Sequence, residues 1–240
     1  MLEEEVLHPY TSVVIVAAGN STRMSEGDKI IITLSDKPLI YHTIKAFENA
    51  GTVDEIIIVT REDLIKKIFV IVNHFKLEKV KKIICGGQSR EQSVVLGFNS
   101  ISPNCKFISI HDGARPLIKS SEIDFIHREC YIYKAVCSVM KIKDTIKKID
   151  LNGKIISTLD RNFLAAAATP QVFERNIYDA AIKNAGDKLM SYTDDASLVE
   201  DAGYAVKTFF CGYQNIKITT DEDLLFAQAL LNSYKLNLEV

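Results

Sequence analysis

Three stretches of this chain place small residues beside cations or carboxylates at spacings suited to a phosphorylated ligand. The first is Ala17-Ala18-Gly19-Asn20-Ser21-Thr22-Arg23-Met24, with Lys29 five residues beyond it. Small residues after an apolar strand let backbone N–H groups approach a ligand, and Arg23 and Lys29 add fixed positive charge able to hold a polyphosphate. Read alone, the stretch serves equally well as a tight turn with solvated cations. It lacks the Gly-Lys-Ser/Thr of a Walker loop and the three glycines of a dinucleotide fingerprint. The second stretch, Gly86-Gly87-Gln88-Ser89-Arg90-Glu91-Gln92-Ser93, offers paired glycines for close backbone approach and serines able to cap a helix or bond a base or ribose. A capped, empty turn explains it equally well. The third is His111-Asp112-Gly113-Ala114-Arg115-Pro116. An Asp at the carboxyl end of a strand binds Mg²⁺ or a ribose hydroxyl, and an Arg takes a phosphate bidentately. His111 reads as structural, because no second His or Cys stands at metal-site spacing.

Further along come Thr158-Leu159-Asp160-Arg161, Thr169-Pro170-Gln171, Thr193-Asp194-Asp195-Ala196 and Asn215-Ile216-Lys217-Ile218-Thr219-Thr220-Asp221. Thr220 with Asp223 forms a helix-cap pattern. Lys217, between isoleucines, requires an anionic partner from the protein or from a substrate.

The elements that must carry these residues alternate. Strand-like runs fall at 12–16, 55–59, 82–85, 107–110, 135–140 and 215–218, and helix-period segments at 39–48, 62–75, 90–99, 122–130, 174–184 and 221–234. Alternation of this kind predicts an α/β fold with a mostly parallel sheet, because parallel neighbours need crossover connections. Residues 141–159 break the rhythm by alternating polar and apolar side chains around Asn152-Gly153, which predicts a β-hairpin. We read it as an arm at about 141–160 on a single domain spanning 1–240, rather than as another crossover.

Composition narrows the function classes. The chain has 240 residues, 47% apolar and 25% charged, with a formal charge of −2. That balance excludes a largely disordered chain and shows no basic excess for nucleic acid. No apolar run is long enough to span a bilayer, so no membrane role is expected. The acidic start Met1-Leu2-Glu3-Glu4-Glu5 is unlike a secretory or transit peptide, which predicts a cytoplasmic protein. Five cysteines without paired close spacing predict free thiols, with neither disulfides nor a zinc cage. An oxidoreductase of the dinucleotide-binding kind is disfavoured, since Val59 leads into Thr60-Arg61 where a ribose-binding acid would stand.

Taken in order, Ala-Ala-Gly…Arg-Met, Gly-Gly…Arg…Ser-Val, His-Asp-Gly-Ala-Arg-Pro, Asp-Thr-Ile-Lys, Asp-Arg…Thr-Pro-Gln, Thr-Asp-Asp-Ala and Asn-Ile-Lys-Ile-Thr closely resemble the 2-C-methyl-D-erythritol 4-phosphate cytidylyltransferase family over about 12–231. The resemblance implies a Rossmann-like nucleotidyltransferase fold of the GT-A-like kind. It also implies CTP and a polyol phosphate as substrates, Mg²⁺ held mainly through the CTP phosphates with no dedicated protein metal site, and a homodimer joined through the β-arm. By the same resemblance, Arg23, Lys29 and Lys217 are catalytic and surround the triphosphate. Ala17, Ala18, Gly19, Gly87, Ser93 and Asp112 bind the nucleotide, and Arg115, Thr145, Arg161 and Thr169 bind or orient the acceptor, with Asp112 beside them. Thr145 and Arg161 are expected to reach a neighbour's site. The chemistry agrees with the residue types: a phosphate nucleophile is already anionic, so two polyanions must be brought together by cations, without a strong general base.

This chain departs from the family pattern in three places. Ser21 stands where Gly is usual, and Asp28-Lys29-Ile30 replaces a common Pro-Lys-Gln, which puts a negative charge beside Lys29. Ala165-Ala166-Ala167-Ala168 replaces larger residues before Thr169 and predicts loosened packing there. Two other readings follow: a cytidylyltransferase for ribitol 5-phosphate, and a CTP-binding regulator without turnover.

Overall fold

A computed structural model describes residues 8–19 and 28–236, with side chains through 233. Arg23 and Ser21 lie outside the described residues. The chain runs β1 (Thr11–Ala17), β2 (Thr33–Leu34), β3 (Lys37–Pro38), α1 (Leu39–Asn49), β4 (Glu55–Thr60), α2 (Glu62–His74), β5 (Val80–Cys85), α3 (Arg90–Phe98), β6 (Phe107–Asp112), α4 (Ser120–Tyr133) and β7 (Ala135–Lys141). It continues with β8 (Lys147–Ile149), β9 (Ile155–Thr158), β10 (Ala165–Glu174), α5 (Arg175–Ala185), α6 (Asp195–Asp201), β11 (Lys207–Phe210) and α7 (Asp221–Leu236).

Seven strands form one twisted sheet in the order β11-β7-β10-β6-β1-β4-β5. Pairings β1/β4, β1/β6, β4/β5 and β7/β11 are parallel, and β10 runs antiparallel to both β6 and β7. Strands β4 and β6 are buried along their whole length and β1 nearly so, as expected of central parallel strands covered on both faces. One apolar layer packs α3, α5 and α6 against the sheet, the other packs α1 and α2 on the opposite face, and α7 closes a smaller cluster over Leu34 and Ile218.

The main sheet differs from the sequence expectation in two places, and helix α6 and the short β2–β3 pair also lie outside that expectation. Segment 215–218 is not a strand, and the place beside β7 is taken by β11, which the sequence reading did not assign. The polar–apolar alternation at 215–218 is real but serves an extended strap. Ile216 and Ile218 pack on the α7 cluster, and the Ile218 N–H donates to the Ala114 carbonyl just beyond β6. The second difference is β10, ten residues long and absent from the sequence expectation because Ala165–Ala168 and Pro170 carry little β-propensity. Pairing with strands on both sides overrides that local preference.

The hairpin is present as β8 paired with β9, with Gly153 at φ 81° supplying the left-handed turn residue. Every residue of both strands is exposed. The register between β10 and β7 shifts between Ala167 and Gln171, so the part of β10 next to the arm is separated by a bulge from the part held between β6 and β7. The α7 cap is also as read: the Asp223 N–H donates to Thr220 Oγ1 (3.3 Å) and the Thr220 N–H to Asp223 Oδ2 (3.0 Å).

Helix α3 lies against β1 and β4 with Gly97 at the contact, where a Cβ would meet Val14 Cγ1 at 2.4 Å and Val59 Cγ2 at 3.0 Å. Gly97→Ala therefore overpacks the layer despite its better helix propensity. We expect a loss of roughly 1–2 kcal/mol in unfolding free energy, measurable by urea denaturation.

Candidate functional site

The carboxyl ends of β1, β5 and β6 open onto one cleft, as the parallel half of the sheet demands. Val16, Ala17, Ala18, Gly19, Lys29, Ile30, Gly87, Gln88, Ser89, Arg90, Ser93, Asp112, Ala114 and Lys217 line a space of about 220 Å³. The three sequence stretches singled out for small residues and charge thus converge, although they are far apart along the chain. The turn after β5 comes close to that after β1. A Cβ on Gly86 would stand 2.7 Å from both Ala18 Cβ and Ser93 Oγ, so only glycine permits this approach. Ser93 shapes the turn: its hydroxyl donates to the Ser89 carbonyl (2.8 Å) and accepts from the Gly87 N–H (3.1 Å). Ser89 in turn caps α3 by accepting from the Gln92 N–H.

Asp112 is the centre of charge. Its carboxylate meets Lys217 Nζ at 3.0 Å, Arg115 Nε at 3.4 Å and Arg90 Nε at 3.5 Å. Burial by itself would raise this carboxyl's pKa. The neighbouring charges of Lys217, Arg90 and Arg115 overcome that and hold it well below the ordinary carboxylate range. The anionic partner required by Lys217 is therefore Asp112. Arg90 also reaches Asp195 (2.9 Å), which accepts from the Tyr178 hydroxyl (2.6 Å), so α3, α5 and α6 are tied to the end of β6.

A second space, about 280 Å³, adjoins the first and shares Arg90, Asp112 and Lys217 with it. Arg115, Ala167, Ala168, Thr169, Gln171, Thr193 and Asp194 complete its wall. Arg115 is only 7% exposed. Its Nη1 donates to the Asn215 carbonyl (2.8 Å), while the Asn215 amide donates to the Thr169 carbonyl (2.8 Å). The strap bearing Lys217 is thereby fastened to both β6 and β10.

Thr169 is buried as well, at the bulge of β10. His111 Nε2 lies 3.2 Å from the Arg115 carbonyl, which can only accept, so Nε2 carries the proton and Nδ1 accepts from the Thr169 hydroxyl (3.1 Å). The Thr169 oxygen then accepts from the Asp112 N–H (3.0 Å). Thr169 and Arg115 thus act here through Asp112 and the strap as well as lining the second space. The packing loss expected from the alanine run is countered by these bonds, and Ala168 itself is buried.

Thr145 and Arg161 line neither space. Both are exposed on the arm, where Arg161 Nη1 donates to the Lys143 carbonyl (2.6 Å). Asp28, expected to place a negative charge beside Lys29, is paired with Arg61. Arg90, Asp195 and Asn215 stand within the sequence motifs with no local cue to a role; the fold brings Arg90 to Asp112, Asp195 to Arg90 and Asn215 to Arg115. Among the described residues no cluster of three or more His, Cys, Asp or Glu could hold a metal, and no helix is long and apolar enough to cross a membrane.

His111, inside this network, has its pKa lowered by burial to about 3, and His127, on the buried face of α4, to about 4. The unfolded chain protonates these groups first, near pH 6.5, so the stability they confer is complete above that pH and is lost on acidification toward 4 and 3. We expect the melting temperature to fall steadily from pH 6.5 to pH 4, with each histidine contributing up to about 1.4 kcal/mol per pH unit. A flat profile in that window would contradict the assignment.

Residues 11–233 match the family described as 2-C-methyl-D-erythritol 4-phosphate cytidylyltransferase. A curated protein of that name from Caldanaerobacter subterraneus is 40% identical over 229 residues, covering 92% of this chain and 98% of the relative. Another, from Alkaliphilus metalliredigens, is 39% identical over 228 residues, covering 93% and 94%. Among solved structures, the 4-diphosphocytidyl-2C-methyl-D-erythritol synthase of Anaerococcus prevotii superimposes with a TM-score of 0.83 at 30% identity, covering 93% of this chain and 96% of that one. The 2-C-methyl-D-erythritol 4-phosphate cytidylyltransferase of Thermus thermophilus shares the fold with a TM-score of 0.75 at 24% identity, covering 93% and 99%.

Proposed function

Because this chain belongs to the 2-C-methyl-D-erythritol 4-phosphate cytidylyltransferase family, we propose that it transfers a cytidylyl group from CTP to 2-C-methyl-D-erythritol 4-phosphate, releasing pyrophosphate in isoprenoid precursor synthesis. The observation that carries this reading is the meeting of the two spaces at Asp112, Lys217 and Arg90. The first is walled by small residues for a nucleotide, and the second is bordered by hydroxyl, amide and guanidinium groups for a polar phosphorylated acceptor.

An oxygen of the acceptor phosphate attacks the α-phosphorus of CTP. The new P–O bond forms as the bond to the bridging oxygen breaks, and the electron pair leaves with pyrophosphate. The nucleophile is already an anion, so no base is needed. The barrier lies in joining two polyanions, and Lys29, Lys217 and Arg90 at the cleft supply fixed charge against it. When the phosphates arrive, Lys217 can turn from Asp112 to them, while Arg90 and Arg115 keep the carboxylate paired.

Asp112 is the one carboxylate among the described residues lining the first space. That donor set suits Mg²⁺ held chiefly by triphosphate oxygens, with Asp112 the protein group at hand, and the ion would neutralise phosphate charge. Anionic, diffusible substrates accord with a cytoplasmic enzyme.

The arm presents Ile149, Ile155, Ile156 and a wholly exposed Leu151, while Thr145 and Arg161 stand away from both spaces of their own chain. Apolar surface of this kind supports a homodimer in which each arm serves its neighbour.

The direct test is pyrophosphate release from CTP and Mg²⁺ with methylerythritol phosphate, beside ribitol 5-phosphate. We expect turnover with the first acceptor, and a fall in kcat of roughly 10²–10³ in Lys217→Ala. Preference for ribitol phosphate would reassign the acceptor, and CTP binding without turnover on either would favour a regulator. For the shared site, Arg161→Ala and Lys217→Ala chains, each inactive alone, should recover activity when mixed and allowed to exchange. A mixed dimer then holds one site with neither defect, so failure to recover activity would argue against the exchanged arm.

A further inference from the structure

Arg61, directly after β4, joins two segments that face the nucleotide cleft. Its Nη2 donates to the Asp28 carboxylate, its Nη1 to the Gly19 carbonyl (3.4 Å), and its Nε and Nη2 to the two oxygens of Asp63 (3.1 and 3.0 Å). Asp63, in the first turn of α2, thus holds the guanidinium in a fixed fork. Asp28 in turn shapes the segment that presents Lys29. Its Oδ1 accepts from the Ile30 N–H (3.1 Å), and its carbonyl accepts from the N–H groups of Ile31 and Ile32 (3.0 Å each). Gly19 and Lys29 both line the cleft, whereas Arg61 does not.

We infer that Arg61 is a positioning residue for the nucleotide: it ties the turn bearing Lys29 to the Gly19 loop and cancels the Asp28 carboxylate next to the incoming triphosphate. Without Arg61, Asp28 and Asp63 lose the cation they share, and the added negative field acts on the side of the cleft where Lys29 stands. The effect falls on the binding of a polyanion rather than on the reaction of one already bound. This inference rests on the reading of the cleft as a CTP site.

The test uses the full chain, with steady-state kinetics in CTP and calorimetric titration of CTP with Mg²⁺ in the absence of acceptor. Arg61→Ala should raise KM and Kd for CTP about tenfold at low ionic strength, with kcat at saturating CTP within about twofold of the parent. Asp28→Asn keeps the oxygen that accepts from Ile30 and removes the charge, so adding it to Arg61→Ala should bring KM back to within about threefold of the parent. Arg61→Lys, which preserves the charge, should fall between the parent and Arg61→Ala. Unchanged CTP affinity in Arg61→Ala, or a double variant as weak as the single one, would overturn the inference. Should Arg61→Ala not fold, Arg61→Lys with and without Asp28→Asn decides on the same criterion. A parent chain that binds no CTP would instead overturn the functional reading, and this inference with it.

Discussion

A buried carboxylate must be paired, and Asp112 is where this fold meets that requirement. Three cations come to it from three parts of the chain: Arg90 from the start of α3, Arg115 from the loop after β6, and Lys217 from the strap near the carboxyl terminus. Removing one partner of such a buried pair commonly costs about 3–5 kcal/mol, so the geometry around Asp112 constrains all three segments together. Secondary bonds extend the constraint. Arg90 continues to Asp195 and Tyr178, Arg115 to Asn215, and the Asp112 N–H to Thr169 and His111. The electrostatic centre is therefore also the mechanical junction of the sheet's two halves.

Those halves differ in how they are built, and this explains what the sequence disclosed. The first space is walled by residues at and just after the ends of parallel strands, so Ala17, Ala18, Gly19, Gly87 and Asp112 could be found by locating a β-branched run and reading the next few residues. Periodicity suffices for that, because strand and turn are contiguous. The second space is assembled from β10, the segment leading into α6 and the strap, whose partners lie tens of residues away. No local pattern reveals that Asn215 fastens to Thr169, or that Asp195 belongs with Arg90. The alanine-rich start of β10 looks unlike a strand until β6 and β7 are in place to pair with it.

Asp28 is instructive in the same way. In the sequence it is a negative charge adjoining a phosphate-binding lysine and reads as a defect. In the fold its carboxylate is shared between a turn and Arg61, which lies 33 residues away along the chain. Charge read along a chain counts nearest neighbours, whereas charge in a folded protein counts whatever the strand ends bring together.

The bulge of β10 separates two jobs on one strand. Before it, the alanine run pairs with the end of β7 and leads from the arm; after it, Gln171 to Glu174 are locked between two antiparallel partners. Residues inserted into or deleted from the arm would be absorbed ahead of the bulge, leaving the register of the locked half intact. The bulge thus works as a joint: a change in the arm's length stops short of the strand segment packed beside Asp112, whose geometry it leaves as it was.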